Sequence, residues 1–198
     1  MWNESSLTLS ASRANSRMFN LANNLTFIRI ATIPLFVLLL TYPTPTTCLM
    51  AALVFVAATA TDFFDGLLAR RYNLESNMGK LLDPLADKLL VVSALVMLTS
   101  LQWVPAWMVI LIIGRELVVT GVRAMAAEKG IVIAADVWGK LKTVLQDIAI
   151  VVLVIHYPWG GFDPQFWGIA AMWLALLVTL FSGVNYVLKF FRYLPENG

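Results

Sequence analysis

The chain has 198 residues, of which 60% are hydrophobic and 13% are charged, and its mean hydropathy is +0.78. Soluble domains are about half apolar and about a quarter charged, so this composition excludes an ordinary soluble domain and indicates a membrane protein. The net charge of +2 is too small to indicate a nucleic-acid partner. The single cysteine, Cys48, excludes an intrachain disulfide, and we expect it to be a small buried apolar side chain.

Residues 1–20 form a Ser- and Asn-rich arm with Arg13 and Arg17 but no apolar run. This arm could lie on the membrane surface as a short amphipathic helix, or it could lack fixed structure. A cleaved signal peptide is disfavoured because the next apolar segment is long, carries Arg29 and lacks a small-x-small cleavage pattern. We predict a juxtamembrane arm over 1–20 and a single membrane domain over 21–198.

Six apolar segments approach the length of about 20 residues that a transmembrane helix requires. Together they leave little chain over. The sequence therefore predicts an all-α integral membrane protein, a bundle of six transmembrane helices. The segments cover residues 25–40, 48–70, 81–101, 104–128, 137–156 and 166–190.

The distribution of Lys and Arg predicts the topology. The connections around 41–47, 102–105 and 157–165 contain neither residue, whereas the arm, the stretches 70–80 and 129–140 and the C-terminal tail contain many. The positive-inside rule then places both termini in the cytoplasm. Aromatic residues near the opposite ends resemble an interfacial belt. They are Trp103, Trp107, Tyr157, Trp159 and Trp167.

Two pairs of aspartates lie on the predicted cytoplasmic side: Asp62 and Asp65 near the end of the second segment, and Asp83 and Asp87 near the start of the third. A carboxylate within a membrane helix costs roughly 2.5–3.5 kcal/mol on insertion scales, so it is rare unless it faces a cavity, a partner or an ion. At about 100° per residue, the members of each pair share one helix face. Four carboxylates suit Mg²⁺ or Mn²⁺ rather than zinc.

Small residues accompany both pairs. On the second helix the aspartate face continues through Gly66 and Ala69 and ends at Arg70. A bulky ligand could lie there with an anionic group near the guanidinium. On the third helix, Gly79 lies four residues before the first aspartate of its pair.

A less specific interpretation exists for each pair alone. Aspartates near a helix end could be interfacial residues with their carboxylates in water. Asp83, which precedes Pro84, could be a helix N-cap with proline at the first helical position. Asp62 is the hardest to explain in this way, because it follows an uncharged run.

The string D-x-x-D-G-x-x-A-R, a spacer and G-x-x-x-D-x-x-x-D resembles the signature of the CDP-alcohol phosphotransferases. This chain has every fixed position: Asp62, Asp65, Gly66, Ala69, Arg70, Gly79, Asp83 and Asp87. The resemblance implies six transmembrane helices, usually in a homodimer, with the active site open to the cytoplasm. It also implies that the four aspartates hold two divalent cations and that Asp87 is the general base. The residues implied to contact CDP-diacylglycerol are Asn23, Asp62, Gly66, Ala69, Arg70, Ser76 and Gly79.

The family resemblance further implies phosphatidyl transfer from CDP-diacylglycerol with release of CMP, at the bacterial cytoplasmic membrane. Segments 20–29, 83–88, 114–123 and 126–143 resemble the bacterial members whose acceptor is sn-glycerol 3-phosphate. That acceptor is therefore implied here. One departure is Ala22, where such members commonly have proline.

A phosphorylated acceptor requires cations. The candidates are Arg115 and Arg123 on the fourth predicted helix and Lys140 at the start of the fifth. A cluster of these side chains that faces the four aspartates could bind the acceptor phosphate. Arginine can bind a phosphate through two parallel hydrogen bonds. The alternative for the fourth helix is an internal ion pair between Glu116 and Arg123, which are seven residues apart. We expect Lys142 to lie at the surface near lipid headgroups.

The last predicted helix is rich in Leu, Ala, Trp and Phe, and only Ser182, Gly183 and Asn185 interrupt it. Small residues let membrane helices approach closely. We expect tight packing there, within the chain or against a second subunit.

Other functions stay open at this stage. The same transfer could use inositol phosphate, serine or phosphatidylglycerol as the acceptor. A cation transporter could also carry carboxylates within helices, but it would need polar residues across the whole membrane, and these acids lie at one face only.

Overall fold

The structure is a computed structural model that describes residues 30–72, 77–128 and 137–193, with all of their side chains except those of 62–72, 77–87 and 193. In this part of the chain there are six helices and, apart from an isolated bridge between Trp159 and Phe162, no strand pairing. The all-α prediction is confirmed there. The helices are α1 (Ile30–Thr41), α2 (Pro45–Tyr72), α3 (Asn77–Ser100), α4 (Ala106–Glu128), α5 (Val137–Ile155) and α6 (Pro164–Tyr193).

The helix boundaries agree closely with the predicted segments. The largest difference is at α3, which begins at Asn77 rather than at residue 81. The predicted arm over 1–20 and the start of the first predicted helix lie outside the described residues. Six membrane crossings with cytoplasmic termini stay a prediction.

α6 has the character of a membrane-spanning helix. Among the described residues, Pro164–Arg192 is long and apolar enough to cross a membrane, and Ile30–Thr41, Pro45–Thr61 and Lys88–Ser100 are shorter apolar helical segments. The outer face of α6 carries large apolar side chains at intervals of three and four residues, each between 50% and 63% exposed. A long helix whose uncovered face is apolar suits a lipid environment. These exposed residues are Leu174, Leu177, Phe181, Val184, Leu188 and Phe191.

The chain divides into two compact units, of which the first ends at Ser93. In the first unit, Phe36 of α1 lies against Phe55 of α2, with ring centroids 5.9 Å apart. Cys48 is fully buried, as predicted. Among the described side chains of α2, the buried positions repeat at helical spacing, and most of them carry small side chains. They are Cys48, Ala51, Ala52, Phe55 and Ala58.

In the second unit, α4 and α6 run in the same direction. Trp107, near the start of α4, lies 5.3 Å from Trp173 between ring centroids. Further along, the Nε–H of Arg115 donates to the carbonyl of Thr179. The residue numbers in contact rise together along both helices, so the helices are parallel. Their contact ends in an apolar cluster of Val119, Val122, Ala126, Tyr186 and Phe190.

α5 packs against α6 in the opposite direction. Trp138, at the start of α5, contacts Phe181 with ring centroids 5.3 Å apart. Leu153, near the end of α5, lies against Gly168 near the start of α6. A Cβ atom at Gly168 would come within 2.6 Å of the Leu153 Cγ atom, so this approach requires glycine. The alternating directions of α4, α5 and α6 are those that consecutive membrane-crossing helices would have.

The connections before α4 and α6 are joined by side-chain contacts. The rings of Trp103 and His156 stack with centroids 3.7 Å apart and an interplanar angle of 5°. Gln165 binds both connections, because its Nε2–H donates to the Trp103 carbonyl at 2.8 Å and its Oε1 lies 3.2 Å from His156 Nδ1. Trp103 belongs to the predicted interfacial belt, and this stacking places it against the connection that follows α5.

α6 begins at a side-chain cap. The Oδ1 atom of Asp163 accepts hydrogen bonds from the backbone N–H groups of Gln165 at 3.0 Å and Phe166 at 3.3 Å. Pro164 occupies the first helical position, where its missing N–H removes no hydrogen bond. Asp163 therefore satisfies two of the N–H groups that a helix start leaves without intrahelical partners.

Replacing Asp163 with alanine should lower the free energy of unfolding by about 1 kcal/mol, the usual effect of losing an N-cap. Asp163→Asn keeps an accepting oxygen and is the matched control. Denaturant unfolding of the purified protein in detergent micelles measures both. Equal stability of the alanine and asparagine variants would contradict the capping role.

Candidate functional site

The backbone places both aspartate pairs in helical structure. α2 is helical through Asp62 and Asp65 as far as Tyr72, and α3 is helical through Asp83 and Asp87. The spacings of three and four residues therefore put the members of each pair on a common helix face, as predicted. The side chains of these four residues lie outside the described part.

A short connection restricts the distance between the two pairs. Four residues, 73–76, separate the end of α2 from the start of α3. A chain of this length spans at most about 18 Å when fully extended. At a rise of about 1.5 Å per residue, each aspartate lies within about 15 Å of its helix end along the helix axis. Both pairs therefore belong to the end of the first unit at which α2 and α3 are connected.

The N-cap interpretation of Asp83 and Pro84 is wrong. α3 begins at Asn77, so both residues lie inside the helix, in its second turn. Pro84 there lacks the N–H that would otherwise bond to the carbonyl of Lys80, one turn earlier. A capping role therefore does not explain why an Asp–Pro pair occurs at this position in α3.

The remaining positions of the signature have the predicted register. Gly66, Ala69 and Arg70 belong to the last turns of α2, and Gly79 belongs to the first turn of α3. Asn23, Ser76 and residues 20–29 lie outside the described residues. Among the side chains that the structure does describe, no group of three or more His, Cys, Asp or Glu residues could hold a metal ion.

The second unit contains a charge cluster that consists of Arg115, Glu116 and Lys142. Arg115 donates three hydrogen bonds: Nη1 to Glu116 Oε1 at 2.7 Å, Nε to the Thr179 carbonyl at 3.0 Å, and Nη2 to Ser182 Oγ at 2.7 Å. The ammonium group of Lys142 binds the same oxygen of Glu116. The side chains of Arg115 and Lys142 are only 9% and 10% exposed. Charges so enclosed are stable only when they are paired and hydrogen-bonded.

The three predicted acceptor ligands differ in their surroundings. Arg115 lies in the charge cluster, whereas Lys140 is exposed at the start of α5. Arg123 is also exposed, about 12 Å further along α4 at about 1.5 Å per residue. Its guanidinium carbon lies 5.7 Å from the ring centroid of Tyr186, a cation–π distance. The predicted alternative, an ion pair between Glu116 and Arg123, is wrong in its partner, because Glu116 pairs with Arg115 and Lys142.

The prediction that Lys142 lies at the surface is also wrong. The whole Lys142 residue, backbone included, is 8% exposed. Lys140 and Lys142 point in opposite directions because two residues correspond to about 200° around a helix. The buried face of α5 repeats at helical spacing and includes Lys142, so this periodicity could have identified it. The face consists of Lys142, Gln146, Ala149, Ile150, Leu153 and Val154.

The small residues of α6 contact α4 of the same chain. Ser182 is 5% exposed and accepts a hydrogen bond from Arg115. Gly183 is buried against the aliphatic part of the same arginine. For Ser182 and Gly183 the predicted close packing is confirmed, and these two residues make it within the chain.

Comparison with known proteins identifies the family. The family model described as CDP-alcohol phosphatidyltransferase matches residues 19–181, which is most of the chain. This chain belongs to that family. The match includes the whole aspartate signature and the three residues of the charge cluster.

The chain is similar over most of its length to several curated relatives. It is 43% identical over 185 residues to a CDP-diacylglycerol–glycerol-3-phosphate 3-phosphatidyltransferase of Bacillus subtilis, with 87% of this chain and 95% of the relative covered. A protein of the same name from Escherichia coli is 37% identical, with 85% and 93% covered. A probable phosphatidylglycerophosphate synthase of Mycobacterium tuberculosis is 40% identical, with 89% and 84% covered.

Glu116→Gln should destabilise the second unit, because it leaves Arg115 and Lys142 without the carboxylate that binds both. We expect a loss of about 2–3 kcal/mol, below the about 3–5 kcal/mol typical of broken buried ion pairs, since the side chain of Glu116 is 25% exposed. Denaturant unfolding in micelles measures the change. Glu116→Gln combined with Lys142→Met should recover part of it, and a double variant that is no more stable than Glu116→Gln would argue against the shared contact.

Proposed function

We propose that this protein transfers the phosphatidyl group of CDP-diacylglycerol to a hydroxyl of sn-glycerol 3-phosphate and releases CMP. The observation that carries the proposal is the complete aspartate signature on helical backbone, in a chain that belongs to the CDP-alcohol phosphatidyltransferase family. Relatives that are 37–43% identical over most of their length carry the name of this reaction.

The reaction forms one bond and breaks one bond at the phosphorus of the phosphatidyl group. The hydroxyl oxygen of the acceptor bonds to this phosphorus, and the pyrophosphate bond to CMP breaks. Asp87 accepts the proton of the attacking hydroxyl, a general-base contribution of typically about 10²–10⁴-fold. CMP then leaves with the electron pair of the broken bond.

The donor set suits a divalent cation. Four carboxylates, in two pairs that each share a helix face, provide only hard oxygen ligands, which Mg²⁺ and Mn²⁺ prefer. Asp62, Asp65, Asp83 and Asp87 would hold two such ions. When bound, the ions would neutralise the negative charge that develops on the attacking and leaving oxygens.

The remaining signature residues would bind the substrates. Small residues at Gly66, Ala69 and Gly79 would leave room for the cytidine diphosphate, and Arg70 would contact its phosphates, with Asn23 and Ser76 adjacent to the nucleotide. Cationic side chains would bind the phosphate of the acceptor. Arg115, Arg123 and Lys140 are the residues that we propose for it.

The membrane arrangement follows from the substrates. The acyl chains of CDP-diacylglycerol stay in the bilayer, so the reacting phosphorus lies near its surface. We propose one six-helix domain over 21–198 with both termini and the active site at the cytoplasmic side of the bacterial inner membrane, in a homodimer. The exposed apolar face of α6 supports the membrane location.

Purified protein incubated with CDP-diacylglycerol, sn-glycerol 3-phosphate and Mg²⁺ should release CMP and form phosphatidylglycerophosphate, detected by mass spectrometry. Addition of EDTA should stop the release, and an excess of Mg²⁺ or Mn²⁺ should restore it. Product formed only with inositol phosphate, serine or phosphatidylglycerol would replace the proposed acceptor. Metal flux in proteoliposomes without lipid turnover would instead support the transporter alternative.

Asp87→Asn should lower the rate of CMP release by at least about 10²-fold, because the amide cannot accept the proton of the hydroxyl. The matched control is Asp163→Asn, the same change at the cap of α6, which should keep the wild-type rate. Unfolding in micelles confirms that both variants are folded. A folded Asp87→Asn variant with wild-type turnover would exclude Asp87 as the general base.

A further inference from the structure

Two glycines of α6 lie where another side chain crosses the helix. A Cβ atom at Gly168 would lie 2.6 Å from Leu153 Cγ, and a Cβ atom at Gly183 would lie 2.7 Å from Arg115 Cγ and 3.0 Å from its Nε. In contrast, a Cβ atom at Gly114 or Gly121 of α4 would meet no other atom within 4 Å among the described residues. Glycine is unfavourable within a helix. At Gly183, the close approach of Arg115 explains why the helix has glycine rather than a residue with a Cβ atom.

Gly183 belongs to a binding surface for a single side chain. Thr179, Ser182 and Gly183 are spaced three and four residues apart, so they share one face of α6. The first accepts the Nε–H of Arg115 through its carbonyl, the second accepts Nη2–H through its hydroxyl, and the third leaves room for the aliphatic chain. We call these three residues the Arg115 cradle.

The cradle fixes the guanidinium more closely than packing of α4 on α6 requires. The apolar contact of Val119, Val122 and Ala126 with Tyr186 and Phe190 already joins the two helices. The cradle, together with Glu116, engages three of the five N–H groups of Arg115 and determines the plane of the fork. A guanidinium whose plane is already fixed loses less conformational freedom when it binds a phosphate bidentately.

We propose that Ser182 and Gly183 are positioning residues for the acceptor, which act by holding the guanidinium of Arg115 in the orientation that binds the acceptor phosphate. This inference rests on the proposed function. It assigns α6 a part in acceptor affinity, although neither residue carries a charge and neither belongs to the aspartate signature.

The test is the substitution Gly183→Ala, which removes no polar group and adds one methyl under the arginine. The KM for sn-glycerol 3-phosphate should rise at least roughly tenfold, the factor that corresponds to about 1.4 kcal/mol. The KM for CDP-diacylglycerol should change less than twofold. Gly168→Ala is the matched control, since it introduces an equally close contact on the same helix against Leu153. It should lower thermal stability and leave both KM values unchanged, and Gly121→Ala should change neither.

A double-variant cycle separates positioning from general packing. If Gly183 acts through the guanidinium, Gly183→Ala should have no further effect on the acceptor KM in an Arg115→Ala background. Ser182→Ala, which adds no bulk, should raise the acceptor KM severalfold and serves as the second variant if Gly183→Ala does not fold.

Three results would overturn the inference: an unchanged acceptor KM in folded Gly183→Ala or Ser182→Ala, an equal rise in Gly168→Ala, or the same rise in the Arg115→Ala background. A wild-type protein that forms no product from sn-glycerol 3-phosphate would overturn the proposed acceptor and this inference together. Wild-type activity with unaltered kinetics in the cradle variants would overturn the positioning role alone.

Discussion

A charge enclosed by apolar helices has to be compensated by another group, and this requirement organises the second unit. Arg115 and Lys142 come from different helices, yet both bind one oxygen of Glu116. α5 contributes Lys142, and α6 contributes the two other acceptors of Arg115. These polar contacts therefore join three helices. Apolar packing joins α4 to α6 further along. Desolvation makes the polar contacts specific, since a buried cation without an acceptor would be strongly destabilising.

The helices were predictable because their signals are local. Apolar runs give the approximate bounds of all the described helices, and Asp163 followed by Pro164 marks the start of α6. The same residue pair at Asp83 and Pro84 misled the N-cap interpretation, because α3 begins six residues earlier at Asn77. A dipeptide does not determine whether a helix starts or continues. That depends on the turn before it, where the sequence has no apolar run to indicate helix.

The candidate site was predictable to the extent that its residues are close in sequence. Spacing and family signature identify the aspartates, and the helical register agrees with that identification. The charge cluster was harder to predict, because Arg115 and Ser182 are 67 residues apart and meet only when α4 packs on α6. Even so, the apolar period of α5 contained the information that Lys142 is buried and Lys140 is not.

The residues of the charge cluster and its acceptors are synthesised in a fixed order. Proteins emerge from the ribosome N-terminus first, so Arg115 is made long before Thr179 and Ser182 exist. During that interval its one neighbouring acceptor in the cluster is the next residue, Glu116, and Lys142 arrives 26 residues later. The adjacent acid can therefore neutralise the arginine before α6 is made. The acceptors of Arg115 are complete only when α6 has been made. The packing of α6 would therefore be the step that fixes the arginine in its final position.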